Sequence, residues 1–196
     1  MQPLLERLMT TFPDAVRGVE VDTARNEITA RVAAARIVDV ARWLHDTPEA
    51  SFDHITDICS VDYPNDPERF EVVYQLLSLA HRRRIRLKAR VTEDAPQIAS
   101  VTGIWKGAEF MEREVYDLMG ITFVGHPDLR RILLPEDYEE GHPLREDFPT
   151  EGRGWRSSFP FIPRLDEAPE EQTEGEVPEQ EKQAYLVAEH QGGTRR

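Results

Sequence analysis

The stretch from Phe70 to Thr92 constrains this chain most, because its side chains alternate in a way that only paired β-strands can use. Phe70, Val72, Tyr74 and Leu76 alternate with Glu71, Val73, Gln75 and Leu77. Both faces of this first strand are therefore largely apolar, and it belongs inside a sheet. Its partner, Arg82 to Thr92, alternates strictly. Arg83, Ile85, Leu87, Ala89 and Val91 point one way, and Arg82, Arg84, Arg86, Lys88 and Arg90 the other. One face of the hairpin needs a hydrophobic layer over it. The basic stripe on the other face reads as a solvated sheet surface, in preference to a docking strip for an acidic partner or for the chain's own acidic end.

The rest of the sequence supplies that layer. Leu4 to Thr11 reads as a short helix stopped by Pro13. Val16–Val21 and Ile28–Ala33 read as strands with Asn26 in the turn between them. Ile37, Val40, Ala41 and Leu44 recur at helical spacing, which predicts a helix over Ala35–His45. Phe52–Tyr63 is strand-like and runs into the turn cluster Tyr63-Pro64-Asn65-Asp66-Pro67. From Ile104 to Met119 the period becomes helical, with an apolar stripe of Ile104, Ala108, Met111, Val115 and Leu118. Glu109, Arg113 and Asp117 are spaced to pair on the opposite side, and Gly120 is placed to cap the C-terminus.

These patterns predict an α+β fold, a small mixed or antiparallel β-sheet packed with helices over residues 1–120. A long, extended, partner-binding C-terminal arm follows over 121–165, because prolines at 127, 135, 143, 149, 160 and 163 forbid long regular elements. Residues 166–196 read as an acidic, disordered tail, because 166–183 is nearly devoid of apolar side chains.

Charge and cysteine content narrow the function. The net charge of the 196 residues is -13, and residues 165–196 alone hold nine acidic and three basic side chains. Free nucleic acid is a poor partner for such a chain, since phosphate binding needs a basic footprint. No apolar run is long enough to cross a bilayer, and the opening residues lack the basic-then-apolar pattern of a secretory signal. A single cysteine, Cys59, excludes an internal disulfide and any self-contained iron–sulfur or zinc-thiolate site. Beside Ile58 and near Val61 it reads as a buried, inert thiol in a reducing, cytoplasmic setting.

The candidate site lies between Glu112 and Pro149. Glu112, Glu114 and Asp117 cluster on one helix; Glu114, among apolar neighbours, reads as partly buried with Arg130 or Arg131 as its cation. An ion-pair network joining helix and arm is preferred over acid–base catalysis. His126 and His142 each sit in Gly-His-Pro, and hydrogen-bonded loop histidines are preferred over metal ligands because no close second ligand accompanies them. Arg130, Arg131 and Arg145 have Asp128, Glu136, Asp137 and Asp147 close by for salt bridges. Phe148, Trp155, Phe159 and Phe161 read as interface anchors. The set expected to form a partner interface or structural lock is Glu112, Arg113, Glu114, Asp117, His126, Asp128, Arg130, Arg131, His142, Arg145 and Phe148. No catalytic, cofactor-binding or metal-binding residue is expected.

The run Glu112-Arg113-Glu114, Asp117-Leu118-Met119, His126 and Arg130-Arg131-Ile132-Leu133 resembles the signature of a known family, the 30 kDa subunit family of proton-pumping NADH:quinone oxidoreductase, respiratory complex I. Pro135-Glu136-Asp137-Tyr138, Glu140-Gly141-His142-Pro143-Leu144-Arg145 and Asp147-Phe148-Pro149 are similar to it too. The resemblance implies a non-catalytic α/β subunit of the hydrophilic peripheral arm, on the cytoplasmic side of a bacterial cell membrane. It implies that FMN and iron–sulfur clusters belong to partner subunits. It also implies that the C-terminal arm packs along the hydrogenase-large-subunit-like member of the complex, component D, with components B and I as further neighbours. Two alternatives remain at this level. One is the equivalent subunit of a related membrane-bound hydrogenase or dehydrogenase; the other is a free-standing acid–base or metal enzyme using His126, His142 and the helix carboxylates.

Overall fold

A computed structural model of the chain describes residues 2–23 and 27–153. In chain order the elements are α1 (Gln2–Thr11), β1 (Val16–Asp22), β2 (Glu27–Val32), a single 3-10 turn at Ala34–Arg36, α2 (Ile37–Asp46), β3 (His54–Asp62), β4 (Phe70–Ser78), β5 (Arg83–Val91), β6 (Gln97–Ala99), α3 (Ala108–Met119) and β7 (Thr122–Val124). All the described residues belong to one compact unit.

Five strands form one mixed sheet in the order β1-β2-β5-β4-β3, with β2 and β5 parallel and the other pairs antiparallel. β4 lies between two neighbours, as its doubly apolar pattern demands. In its register with β5, Phe70 faces Val91, Tyr74 faces Leu87 and Leu76 faces Ile85. Those side chains point to one face, where Leu4, Leu5 and Leu8 of α1, Ile37, Val40 and Leu44 of α2, and Ala108, Val115 and Met119 of α3 complete a single core. Burying each large aliphatic or aromatic chain there contributes roughly 1.5–3 kcal/mol.

The opposite face carries the basic stripe, of which Arg86, Lys88 and Arg90 are paired with acidic side chains and Arg84 is exposed. Lys88 donates to Glu71 at 2.8 Å, Arg90 donates to Glu71 at 3.2 Å and also meets Asp66, and Arg86 reaches Glu27 at 3.4 Å. Arg82 leaves the stripe altogether, because it sits in the β4–β5 turn with φ 51°.

Three expectations change. Cys59 is exposed, not buried. It lies on the edge strand β3 next to Ile58, and alternation turns it to the face that the helices leave open. The helix expected from Ile104 begins only at Ala108; Ile104 is in the preceding turn, where buried Trp105 donates its indole N–H to the Phe52 carbonyl at 3.0 Å. The buried side of α3 is Ala108, Glu112, Arg113, Val115, Asp117 and Met119, while Met111 and Leu118 are half-buried. The stripe was displaced because an apolar pattern cannot count a polar residue that is buried with its partners in place.

The segment from residue 121 opens with the short strand β7, parallel to β6, and Ile121 and Phe123 are buried there. Asn26, Trp155, Phe159, Phe161 and the acidic tail lie outside the described residues. No helix among the described residues is long and apolar enough to cross a membrane.

Candidate functional site

Beyond β7 the chain returns over α3, and α3 holds it by its backbone. Arg113 and Asp117, one turn apart, act on the same short run. The Arg113 guanidinium donates to the carbonyls of Arg130 at 3.1 Å and Arg131 at 2.9 Å. One Asp117 carboxylate oxygen accepts the N–H groups of Ile132, Leu133 and Leu134 at 3.0, 2.8 and 2.8 Å, and the other accepts Arg131 at 3.3 Å. A cation placed on carbonyls and an anion placed on amides read the two polarities of one peptide segment. Burial pushes the Asp117 carboxyl up, but the three amides and Arg131 outweigh it and hold the group below the usual carboxylate range. The expected ion pairing of Glu109, Arg113 and Asp117 along the helix is thus replaced by contacts with the arm. Glu109 contributes its carbonyl, which accepts His126.

The two Gly-His-Pro turns do separate jobs. His126 donates from Nε2 to the Glu109 carbonyl at 3.0 Å and accepts the Asp128 N–H on Nδ1 at 3.0 Å, so both its nitrogens are engaged by backbone. The second turn caps α3. His142 donates from Nδ1 to the Asp117 carbonyl at 2.9 Å, Leu144 N–H to the Leu118 carbonyl at 3.1 Å, and Arg145 Nε to the Met119 carbonyl at 2.9 Å. Carbonyls at a helix end lack intrahelical donors, and here consecutive ones are satisfied by a distant segment. Burial holds His142 below the ordinary imidazole range.

Gly120 makes that approach possible. Its φ is 74°, and a Cβ there would collide with the His142 ring and lie 2.7 Å from an Arg145 nitrogen.

Glu112 faces the other way. It is fully buried, accepts Ser100 Oγ at 2.6 Å and the Val101 N–H at 2.7 Å, and fastens α3 to the segment after β6; burial pushes its carboxyl up. The buried Tyr74 hydroxyl, also pushed up by burial and then by Glu112, has no hydrogen-bond partner among the described residues. Glu114 is exposed and meets neither Arg130 nor Arg131: Arg131 is on Asp117, and Arg130 pairs with Asp128 at 2.8 Å on the surface. Phe148 is half-buried under the Arg153 guanidinium, 5.3 Å away.

A second lock went unread in the sequence. Arg69, only 5% exposed, grips Asp62 through two bonds of 2.7 and 2.8 Å and also reaches Glu93 at 2.6 Å and Asp147 at 3.0 Å. Asp62 in turn accepts the Glu146 N–H at 2.9 Å. The Arg69 and Arg145 guanidinium groups lie 5.1 and 4.8 Å from the Phe70 ring. Asp62 and Arg69 flank a turn cluster and look like ordinary turn residues. Their only signal was opposite charge on two adjoining strand ends.

Among the described residues no group of three or more His, Cys, Asp or Glu is placed to hold a metal ion. What the arrangement does chemically is fix backbone.

Comparison with known proteins gives this geometry a family. The family model of the respiratory-chain NADH dehydrogenase 30 kDa subunit matches residues 30–154. The NADH-quinone oxidoreductase C subunit from Roseiflexus sp. (strain RS-1) is 50% identical over 146 residues, 74% of this chain and 82% of its own length. A protein of the same name from Xanthobacter autotrophicus (strain ATCC BAA-1158 / Py2) is 50% identical over 152 residues, 78% of this chain and 71% of its own length. The solved trypsin-resistant fragment of Nqo5 superposes with a TM-score of 0.55 at 32% identity, covering 65% of this chain and 98% of the fragment. A chain of an archaeal membrane-bound sulfane sulfur reductase shares the fold, with a TM-score of 0.68 at 24% identity over 87% of this chain and 97% of that one. This chain therefore belongs to the 30 kDa subunit family of the respiratory-chain NADH dehydrogenase.

Proposed function

We propose that this chain is the 30 kDa-type subunit of a bacterial NADH:quinone oxidoreductase, a non-catalytic part of the peripheral arm that holds its neighbours in place. The complex passes electrons from NADH through FMN and iron–sulfur clusters, carried by other subunits, to quinone, and couples this to proton translocation. The observation that carries the reading is how α3 spends its polar groups. Arg113 and Asp117 act on arm backbone, and His142 and Arg145 act on helix backbone. Each of these groups is occupied in fixing the chain, where a nucleophile or base would have to face substrate. The arm is held with Leu133 and Leu144 turned outward, 58% and 60% exposed, as a protein assembled with others would present them. The hydrogenase-large-subunit-like component D is the chief neighbour in this reading, with B and I beside it, on the cytoplasmic face of the membrane.

The test is isolation of the tagged full chain from its own bacterium. It should bring down a flavin-containing, NADH-oxidising assembly, and the chain freed from that assembly should show no turnover. A homogeneous monomer with activity of its own would overturn the proposal. Recovery in a complex lacking an NADH-oxidising subunit would move it to a different electron donor.

A further inference from the structure

α3 has an outer side that the arm leaves uncovered. Phe110, Glu114 and Leu118 are spaced four apart and so form one row along the helix. Phe110 is 60% exposed and Leu118 half-buried. The arm brings two exposed leucines to the C-terminal end of this row. Leu144 is tied to it through its N–H on the Leu118 carbonyl, and Leu133 through its N–H on Asp117. Arg113, which holds the carbonyls of Arg130 and Arg131, lies 5.9 Å from the Phe110 ring. The result is an exposed apolar surface with one carboxylate, Glu114, in its middle.

That carboxylate is the informative group. Among the described residues Glu114 makes no side-chain hydrogen bond or ion pair, whereas its helix neighbours Glu112, Arg113 and Asp117 are all engaged. Every nearby arginine is already committed: Arg113 to arm carbonyls, Arg130 to Asp128, Arg131 to Asp117 and Arg145 to the Met119 carbonyl. Exposed, Glu114 is solvated, but any surface that covers it has to supply the cation that the nearby arginines do not. We propose that the row Phe110–Glu114–Leu118, flanked by Leu133 and Leu144, seats an apolar surface of a neighbouring subunit that presents an arginine or lysine to Glu114. This deepens the assembly reading above and rests on it.

Charge selects that occupant over two others. A second copy of the chain meeting this patch about a two-fold axis would bring Glu114 towards Glu114, a like-charge contact. Of the chain's own C-terminal residues, 165–181 carry eight acidic and no basic side chains, the wrong sign for this seat, and occupation by residues 182–196 would show as a crosslink within this chain. A partner with an apolar face around one cation satisfies both the ring and its centre, and desolvating the pair on docking makes it worth far more than a surface pair.

The experiment uses the full chain in its native complex. A photo-crosslinking amino acid at Phe110 or Leu144 should capture a single neighbouring subunit. Glu114→Lys should lower recovery of the assembled complex about tenfold, the effect of a lost and reversed docking charge. Asp94→Lys, the same charge change at an exposed position away from the row, should leave recovery unchanged. Reversing the captured partner's basic residue should restore Glu114→Lys. Normal assembly of Glu114→Lys, or crosslinks only to this chain itself, would overturn the docking surface while leaving the assembly reading intact. Failure of the unaltered chain to co-purify with NADH-oxidising subunits would instead sink the assembly reading and this inference with it.

Discussion

Two regions of this molecule are equally rich in charge, and they use it in opposite ways. On the open face of the sheet, Arg86, Lys88 and Arg90 meet Glu27 and Glu71 of neighbouring strands and Asp66 of the β3–β4 turn, side chain to side chain. At α3, Arg113, Asp117, His142 and Arg145 meet backbone amides and carbonyls from segments at least 15 residues away. The first arrangement can lose a member and let water or a neighbouring charge replace it. The second loses more, because amides and carbonyls held against the helix are less readily taken over by water. Charge density alone does not mark a structural lock; what the charge touches does.

The strongest way to break this contrast is at Arg69. Arg69→Met leaves Asp62 buried without its cation and releases Glu93 and Asp147. Urea unfolding of the full chain should show a loss of about 3–5 kcal/mol, the cost of an orphaned buried charge. Asp117→Ala should cost about 2–4 kcal/mol by stranding the amides of Ile132, Leu133 and Leu134, less where water reaches them. Proteolysis in the 126–153 segment should rise in the same variant, and unchanged protease resistance would mean the arm is held by something else. Gly120→Ala should cost about 1–3 kcal/mol, from a left-handed backbone and a Cβ against His142 and Arg145. A melting temperature equal to wild type would show that the second turn has room to withdraw.

Sequence reading found the elements where pattern and environment agree, and it lost them where a polar group is buried. β4 and β5 were legible because their alternation matches a sheet covered on one side. The Gly120 cap was legible because the helix period stops there. The residues from Glu112 to Arg145 were legible as a group through their resemblance to a family, and structure brings most of them together. Their pairing was not legible. Arg113 and Asp117 looked like partners because they are one turn apart, yet both reach the arm. Glu114 looked buried by its neighbours in sequence but faces outward, while Glu112 and Met119 take the inner positions. Arg69 and Asp62 depend on strand ends brought together by the β3–β4 register, which no local pattern contains.

The pH response sharpens the same contrast. Burial lowers the His142 pKa in the folded chain, so the unfolded chain binds the extra proton more readily. Stability from this residue is complete at pH well above the ordinary imidazole value of about 6.5 and is lost as pH falls through it. Glu112 has the opposite sign, since burial raises its carboxyl and the folded state gains relative stability as pH falls towards the ordinary carboxylate range. Comparing wild type with His142→Asn, whose side-chain amide can donate from the place of Nδ1 to the Asp117 carbonyl, isolates the histidine. The variant should lose less stability than wild type between about pH 7 and 5, and equal slopes would assign the effect to other groups.

The smallest effect belongs to the open sheet face. Arg86→Ala removes a 3.4 Å contact with Glu27 whose two side chains are 31% and 44% exposed. Such a pair contributes about 0–1 kcal/mol and is screened by salt. The loss should shrink further between about 0.05 and 0.5 M salt, because the screening length falls below the spacing of the surviving charges. Asp117→Ala in the same salt series should keep most of its cost, since its partners are neutral amides packed against the helix rather than solvated ions. If both variants lost the same fraction of their effect in salt, the distinction between side-chain pairing and backbone capture would fail. If only Arg86→Ala did, the arm is held by backbone capture that salt does not screen, and the sheet face by side-chain pairs that it does.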